Sequence, residues 1–423
     1  MKDFARKISL IVTDPVLRGR VLFTLVALII FRVFSMIPIP GVDPLRLESL
    51  FAGNDFLGLL NIFSGGGLSN LSLVMLGVGP YISASIIMQL LTIMSKRLKA
   101  MYQEEGEAGK KKFAQYSRLL TIPFGLLQSF AFLTILERNS VLPALAPFEF
   151  FTNMLVVTAG SVLLMWLGEL ITEFGIGNGV SLIIFAGIVS AVPGIFGQLL
   201  FTFEQSQIPQ YLLLFALVLL VIGGVVIITE AERPIPVTYA KRVRGSKVYG
   251  GLSTYLPLRL NQAGVIPIIF ALSILLFPQT IATFFAQAQN DIVRSIAAAV
   301  LSGLGNTWIY AGLYFVFVVF FTYFYTAITF DPQSIATNLQ KNGAFIPGVR
   351  PGLSTAEHLS RILTRLTLFG SFFLGSIAVL PIIVRALTNI SSLAIGGTAL
   401  LIVVSVVIDL VKKIDSQVSL REY

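Results

Sequence analysis

Few side chains in this sequence could support catalysis or hold a metal ion. The sequence contains no cysteine and a single histidine, His358, so neither thiolate chemistry nor a cluster of imidazole ligands is available. The stretch G-E-A-G-K-K-K at 106–112 places a glycine before lysines, but it lacks the spacing and the Ser or Thr of a phosphate-binding loop. We therefore expect no catalytic residue, no metal site and no cofactor.

The ionisable residues within the apolar stretches are few, and they lie near the ends of those stretches. Examples are Arg32, Glu169, Glu173 and Asp409. An ion-coupled transporter needs ionisable groups near the middle of the bilayer, usually in pairs, and no such pair is visible. If this protein moves a substrate, the energy must come from another protein or from the gradient of the substrate itself.

The composition indicates a polytopic membrane protein. Of 423 residues, 55% are hydrophobic and 12% are charged, and the mean hydropathy is +0.86. Soluble domains carry about 25% charged residues, whereas a membrane-spanning helix needs about 20 apolar residues. Apolar runs of that length predict ten spans, at 19–39, 70–93, 117–137, 149–171, 180–201, 211–230, 261–285, 306–330, 362–384 and 391–411.

The positions of the basic residues predict the orientation. With a cytoplasmic N-terminus, the exterior loops contain four of them, Arg46, Arg138, Arg294 and Arg385. Arg32 lies within the first span, and the other 25 of the 30 Lys and Arg residues fall on the inner side. Because cytoplasmic loops are enriched in Lys and Arg, both termini are expected in the cytoplasm. Topology alone could then explain the net charge of +9.

Residues 54–91 contain a hydrophobic segment of about half the spanning length, which stops at Gly65-Gly66-Gly67 before a second apolar run. A half-helix with its ends facing lipid would leave backbone N–H and C=O groups without hydrogen bonds, and each such group costs several kcal/mol of free energy. We therefore expect this segment to be buried inside the protein, where irregular backbone can line a cavity. The three glycines predict a flexible joint.

Two inner loops are longer than topology requires. The loop at about 231–260 alternates β-formers with basic residues and predicts an extended hairpin that turns near Gly245-Ser246. The loop at about 331–361 has a tip rich in Gly and Pro around Arg350. Such loops could simply contact anionic lipid headgroups, but their length favours a docking platform for a cytoplasmic partner.

Apolar residues at helical spacing are the remaining candidates for a functional surface. Ile82 and Ile86 are four residues apart, as are Val180 and Ile184, so each pair shares one helix face. Ordinary packing explains most such pairs, so spacing alone does not assign them to a pore. Ten spans also divide into five plus five, which fits inverted repeats. Secondary transporters share that architecture, so a small-solute transporter is an alternative.

Four motifs in this sequence resemble those of the SecY family of protein-conducting channels. They are G-P-Y-I-S-A-S-I-I-M-Q-L-L at 79–91, L-G-E-L-I-T-E-F-G-I-G-N-G-V-S-L-I-I-F-A-G-I-V at 167–189, N-Q-A-G-V-I-P-I-I-F-A-L-S-I-L-L-F-P at 261–278, and K-N-G-A-F-I-P-G-V-R-P-G at 341–352. The resemblance extends from the first span to the tenth. It implies an all-α polytopic membrane protein with ten transmembrane helices in two inverted-repeat halves, 1–202 and 203–423, around an hourglass pore. It also implies a short re-entrant plug helix at about 57–67.

The resemblance assigns roles to individual residues. The pore ring, which seals the waist around the moving polypeptide, corresponds to Ile82, Ile86, Val180, Ile184, Ile269 and Ile402. Valine at 180 replaces a common isoleucine and should widen the ring slightly. The plug corresponds to Phe56, Leu57, Leu59, Leu60, Ile62, Phe63, Gly65, Gly66 and Gly67. The lateral gate, where signal sequences and membrane helices pass into lipid, corresponds to Gln89, Thr92, Gln128, Ser273 and Phe277.

The activity implied by the resemblance is passive: unfolded secretory polypeptides cross the membrane, and transmembrane segments leave sideways into lipid. The implied partners are the small subunits SecE and SecG, the motor ATPase SecA, the ribosome, signal peptides and nascent chains. Partner docking is expected at Lys241, Arg242, Arg244, Lys247 and Arg350. The implied location is the bacterial cytoplasmic membrane. A role restricted to membrane-protein insertion, or to a scaffold, is a further alternative.

Overall fold

The computed structural model describes residues 13–39, 61, 64, 66–68, 70–138, 141–143, 145–201, 208–239, 242–244, 247–249, 253–286, 290–388 and 396–419. The helices in these ranges are α1 Pro15–Ser35, α2 Gly79–Met94, α3 Lys96–Gln103, α4 Gly106–Arg138, α5 Pro147–Phe174, α6 Gly179–Phe201, α7 Ile208–Glu230, α8 Ile266–Phe285, α9 Asp291–Gly305, α10 Thr307–Thr329, α11 Pro332–Lys341, α12 Leu353–Thr388 and α13 Gly396–Ser419. The strands are β1 Glu232–Tyr239, β2 Arg242–Arg244, β3 Lys247–Tyr249, β4 Ser253–Arg259 and β5 Ala344–Phe345.

The helices have the length and composition of membrane spans. Four helical stretches in the described ranges are long and apolar enough to cross a bilayer, at Gly106–Glu137, Pro147–Phe174, Thr307–Lys341 and Leu353–Val384. Each of the ten predicted spans overlaps a helix. The protein is therefore a mostly helical polytopic membrane protein, as predicted, while the count of ten spans stays a prediction.

Two boundaries predicted from hydropathy were wrong. The second span was predicted to begin at residue 70, but α2 begins at Gly79, and the described residues 70–78 form turns with one bridging residue. Positive φ angles at Leu71 (+40°) and Gly77 (+58°) interrupt a helix there. The charged stretch 95–118, predicted as a loop, is almost entirely helical in α3 and the beginning of α4.

The chain forms two compact units. The first combines Met1–Tyr211, Leu272–Asn306 and Ile402–Tyr423, and the second combines Leu212–Ala271 and Thr307–Leu401. The division into halves at 1–202 and 203–423 stays a prediction.

In the first unit, helices pack so closely that side chains are excluded at several points. Helix α1 begins where the Asp14 carboxylate accepts hydrogen bonds from the amides of Val16 (2.8 Å) and Leu17 (3.1 Å), and it packs on α5 and α6. Helix α5 also contacts the backbone of the segment before α2. A Cβ at Gly160 would overlap the carbonyl oxygen of Leu73. Glycine at 160 therefore sets how closely α5 approaches this segment.

In the second unit, the long loop between α7 and α8 forms the predicted hairpin. Strands β1 and β4 pair antiparallel from Glu232↔Arg259 to Thr238↔Ser253, and β5 adds to the other edge of β1. Side chains alternate along β1, with Ile235 and Val237 buried. They form one hydrophobic core with Leu258 of β4, Ala344 of β5, Ile346 just after β5 and Leu359 of α12.

We predict that Gly160→Ala lowers the free energy of unfolding by about 1–3 kcal/mol, because the added methyl group must push α5 away from a backbone carbonyl. Thermal unfolding of the purified protein in detergent should show a lower Tm. Gly194→Ala in α6 is the matched control, since a Cβ there has no neighbour within 4 Å. Equal Tm shifts in both variants would show that this close contact does not limit stability.

Candidate functional site

A tight turn between α5 and α6 positions two of the predicted pore-ring residues. Gly177 has a φ of +97°, which favours glycine. The Asn178 side chain accepts a hydrogen bond from the amide of Ser181 (3.2 Å), and the amide of Gly179 donates to the hydroxyl of Thr172 (2.9 Å). Gly175 caps the end of α5, and the glycine-asparagine-glycine motif turns the chain and caps the beginning of α6.

The same turn brings the two helices into direct contact. A Cβ at Gly179 would overlap the carbonyl oxygen of Gly168, and a Cβ at Gly168 would lie 3.1 Å from Cγ2 of Val180. Ile184 follows one turn along α6 and is fully buried. Val180 and Ile184 are thus held by backbone packing and have little freedom to shift along the helix axis.

The other predicted pair lies on α2, and the segment that leads into this helix is buried. Ile82 and Ile86 are 6% and 1% exposed. Before them, the amide of Ile39 donates to the carbonyl of Leu71 (2.9 Å), and the amide of Leu73 donates to that of Ile37 (3.0 Å). These bonds supply partners for non-helical backbone that has no water to bond to.

The structure does not bring all six predicted ring residues into one unit. Ile269 lies in the second unit, while the other five lie in the first. Five of the six are buried, and Val180 is half-buried. The ring as an assembled constriction therefore stays a prediction.

Most of the predicted plug falls outside the described residues. Phe56, Leu57, Leu59, Leu60, Ile62, Phe63 and Gly65 are not described. Gly66 has a φ of +82° and its amide donates to the carbonyl of Asn61 (2.9 Å). A Cβ at Gly67 would lie 2.9 Å from the Ser72 hydroxyl. Gly66 and Gly67 thus serve a tight turn and a close approach, which sequence analysis had attributed only to flexibility.

The predicted lateral-gate residues make mainly local contacts. The Gln89 amide donates to Ser85 (3.4 Å) and the Thr92 hydroxyl to the carbonyl of Gln89 (2.6 Å), both within α2. The Gln128 amide of α4 donates to Ser83 of α2 (3.4 Å), which links two helices. Ser273 is half-buried in α8, and the side chain of Phe277 is not described. Their role as a gate stays a prediction.

Charged groups near the helix ends pair with one another. The Arg118 guanidinium of α4 donates to the carboxylate of Glu169 in α5 at 2.7 Å, so this carboxylate joins two helices.

Outside the spans, α3 packs on α4 through Tyr102 and Phe113, whose ring centroids are 4.9 Å apart. Burial raises the pKa of the Tyr102 phenol, and the ammonium of Lys110 lowers it in part.

Three of the predicted docking residues, Arg242, Arg244 and Lys247, lie on two short paired strands. β2 and β3 pair from Arg242↔Tyr249 to Arg244↔Lys247, which leaves the two residues Gly245 and Ser246 between the strands, as predicted. This short ladder continues the register of β1 and β4. Lys241 and the side chains of Arg242, Arg244 and Lys247 lie outside the described residues.

Arg350 is exposed between two Pro-Gly pairs that fix its backbone. The amide of Val349 donates to the carbonyl of Ile346 (3.1 Å) across Pro347-Gly348, with φ +82° at Gly348. The second pair, Pro351-Gly352, has φ +100° at Gly352. The Thr355 hydroxyl also donates to the carbonyl of Arg350 (2.8 Å). The guanidinium is therefore presented from a rigid loop.

Two exposed aromatic side chains on the three-stranded sheet were not predicted from the sequence. Tyr255 on β4 is 66% exposed, opposite Pro236 of β1, and Phe345 on β5 is partly exposed. The alternation in S-T-Y-L-P-L-R indicates this orientation, since Leu258 is buried two residues beyond Leu256 and Tyr255 lies on the opposite face. Exposed aromatics together with arginine are typical of protein-interaction surfaces.

The described part of the chain contains no cluster of three or more His, Cys, Asp or Glu side chains that could hold a metal ion. What the geometry offers instead is buried aliphatic pairs on tightly packed helices in the first unit. The second unit offers a rigid projection with exposed basic and aromatic groups. Such an arrangement can line a passage and bind a partner.

The SecY family model matches residues 72–411 of the chain. Among curated relatives, "Protein translocase subunit SecY" of Thermus thermophilus is 43% identical over 421 residues, covering 97% of this chain and 94% of the relative. The protein of the same name from Halalkalibacterium halodurans is 42% identical, covering 99% and 98%. The one from Synechocystis is 41% identical, covering 96% and 93%.

Solved structures share the fold at lower sequence identity. "The structure of a protein conducting channel" aligns with a TM-score of 0.64 at 19% identity, covering 96% of this chain and 94% of that one. "Sec61 in the Canine ribosome-channel complex from the endoplasmic reticulum" aligns at 0.62 and 17%, also covering 96% and 94%. The family match covers most of the chain and the relatives match over nearly their full length, so this chain belongs to the SecY family.

Proposed function

We propose that this protein is the channel subunit of a protein translocase, through which unfolded polypeptides cross the membrane and transmembrane segments leave into lipid. The observation that carries this proposal is family membership over nearly the whole chain, with relatives named as translocase subunits. The activity is conduction of a polypeptide, and no enzymatic step is required.

The apolar character of the predicted ring suits a passive channel. Ile82, Ile86, Ile184, Ile269 and Ile402 have side chains that carry no hydrogen-bonding groups. Hydrophobic constrictions gate by losing water. A polypeptide of any sequence can slide past aliphatic groups without forming specific bonds, while hydrated ions are excluded. The plug at about 57–67 and the lateral gate complete the proposed mechanism.

The rigid projection of the second unit supports docking of a cytoplasmic partner. Arg350 is exposed and held by two Pro-Gly turns and by Thr355. Beside it, the three-stranded sheet rests on its own hydrophobic core, so contact would not require the loop to become ordered first. We propose that this surface, with the basic residues of the β2–β3 turn, binds the ribosome or the motor ATPase SecA.

The complex would also contain SecE and SecG, and its substrates would be signal peptides and nascent chains. One structural neighbour, the canine Sec61, belongs to a ribosome-channel complex, which supports the ribosome as a partner. The bacterial relatives and the concentration of basic residues on one side support a bacterial cytoplasmic membrane with both termini in the cytoplasm. The family match makes a small-solute transporter the weaker alternative.

Reconstitution tests the function directly. Vesicles containing this protein with SecE and SecG should import a signal-bearing precursor when SecA and ATP are added, as measured by protection of the precursor from protease. Precursor carrying a disrupted signal sequence serves as the control. Insertion of membrane proteins without import of soluble precursors would favour an insertase, and no import of either substrate would overturn the proposal.

We predict that Ile86→Asn raises the resting ion conductance of the reconstituted channel several-fold, because an amide in an apolar waist stabilises water there. Single-channel recording in planar bilayers measures the effect. Ile87→Asn makes the same change on the next residue of α2, off the face shared by Ile82 and Ile86, and should leak less. Equal conductance in both variants would remove Ile86 from the ring.

We predict that Arg350→Glu reduces SecA-driven import by about tenfold or more, because reversing a charge at a rigid contact creates repulsion against an acidic partner surface. The Tm and the resting conductance should stay unchanged. Lys112→Glu makes the same reversal on an exposed residue of α4 and is the matched control. Wild-type import by the Arg350 variant, with both SecA and ribosomes, would exclude a docking role for this residue.

A further inference from the structure

Helix α9 is amphipathic and lies in a loop between two spans. It has 15 residues, Asp291–Gly305, and is about 22 Å long at 1.5 Å per residue. This is too short to cross a hydrocarbon core of about 30 Å. Asn290 caps its beginning, where the side chain accepts a hydrogen bond from the amide of Ile292 (3.0 Å). The helix therefore begins by its own local signal and is not an extension of α8.

The side chains of α9 divide into three faces. One face packs on the protein, with Ala297 4% exposed and its neighbours Val293, Val300 and Leu304 half-buried. A second face is polar and exposed, and it carries Asp291, Arg294, Ser295 and Ser302. On it the Arg294 guanidinium pairs with the Asp291 carboxylate at 2.6 Å.

The third face is apolar and exposed. Ile292 is 69% exposed and Ile296 is 59% exposed, and Ala299 follows on the same side of the helix. Single exposed apolar residues are common on any protein surface. Here two isoleucines one turn apart form a continuous strip along the helix, placed between the polar face and the face that packs on protein.

The connections of α9 place this strip at the edge of the membrane. α9 follows α8 after a short connection and precedes α10 with Asn306 as the only residue between. In the first turn of α10, Trp308 is 61% exposed and Ile309 is 49% exposed. Tryptophan favours the headgroup level of a bilayer, so the lipid-facing surface of α10 begins within a few residues of the end of α9. The predicted topology places the connection between these two spans, which contains α9, on the outer side of the membrane.

From these observations we infer that the strip formed by Ile292 and Ile296 contacts lipid, with α9 lying flat in the outer interfacial layer of the membrane. The polar face, with Asp291 and Arg294, points to water, and the third face packs on the protein. Helices with this pattern bury their apolar side about 5–10 Å into the boundary between headgroups and acyl chains. The bilayer then restrains the outer end of α8. The inference depends on α8 and α10 crossing the membrane and not on what the channel conducts.

The absence of cysteine from the 423-residue sequence permits a direct test. Single variants Ile292→Cys and Ile296→Cys would each carry a nitroxide label in the complex with SecE and SecG, in nanodiscs of phosphatidylethanolamine and phosphatidylglycerol. Ser295→Cys and Ser302→Cys on the polar face are the matched controls. Spin-label collision rates with oxygen report lipid, and those with a water-soluble nickel chelate report water.

We expect the oxygen-to-nickel collision ratio to be several-fold higher at Ile292 and Ile296 than at the two serine positions. Similar ratios on both faces would place the isoleucine strip in water and overturn the inference. Low collision rates with both reagents at the isoleucines would mean that a protein covers the strip, which also overturns it. Labelled complexes are compared only if their Tm matches that of the unlabelled complex, and the two isoleucine positions report independently should one label disturb folding.

Discussion

Backbone N–H and C=O groups have no water to bond with inside a membrane protein, so wherever the chain leaves a helix at depth it must find partners within the protein. Residues 70–78 do so through the stretch that follows α1, where Ile37 and Ile39 bond to Leu73 and Leu71. The turn between α5 and α6 does so through Thr172, and through Thr24, whose hydroxyl accepts from the amide of Ile176 (3.2 Å). Four of the predicted pore residues of the first unit adjoin these non-helical segments.

Satisfying these groups requires close approach of backbones, and glycine makes that approach feasible. Gly160 lies against Leu73, and Gly179 lies against Gly168. Side chains at these points would separate the helices and move the predicted pore residues of α2 and α6 together with them. An aliphatic constriction has no directional bonds to correct such displacements, so its dimensions depend on the packing of the helices that carry it.

Outside the membrane, backbone groups can bond to water, and the second unit uses this freedom to build a projection with its own core. Ile235, Val237 and Leu258 support the sheet from one side, while Tyr255 is exposed on the other. Rigidity suits a docking surface because little conformational entropy is lost on binding. The proposed conduction and docking thus rely largely on different units of the chain.

Local sequence signals could predict several elements in full, and others were present but were not recognised. The alternation of residues 232–259 predicted the hairpin and its turn at Gly245-Ser246. The pair Asp331-Pro332 is an N-cap followed by proline, and it begins α11, where the Asp331 carboxylate accepts from the amide of Gln333 (3.0 Å). This signal was overlooked within a loop assigned by composition. The amphipathic α9 was likewise missed, because span prediction reads mean hydropathy and not its periodicity.

The sequence by itself determined that the chain crosses a membrane, which stretches are apolar enough to do so, and which motifs place it in its family. These properties follow from composition and local spacing, and they do not depend on contacts between residues that are far apart in the sequence. Only the tertiary structure decided that residues 70–78 are not helical, that Gly66 serves a tight turn and Gly67 a close contact, and that Arg350 is fixed between two turns. Each of these depends on backbone conformation and on contacts that the surrounding fold imposes, which hydropathy does not encode.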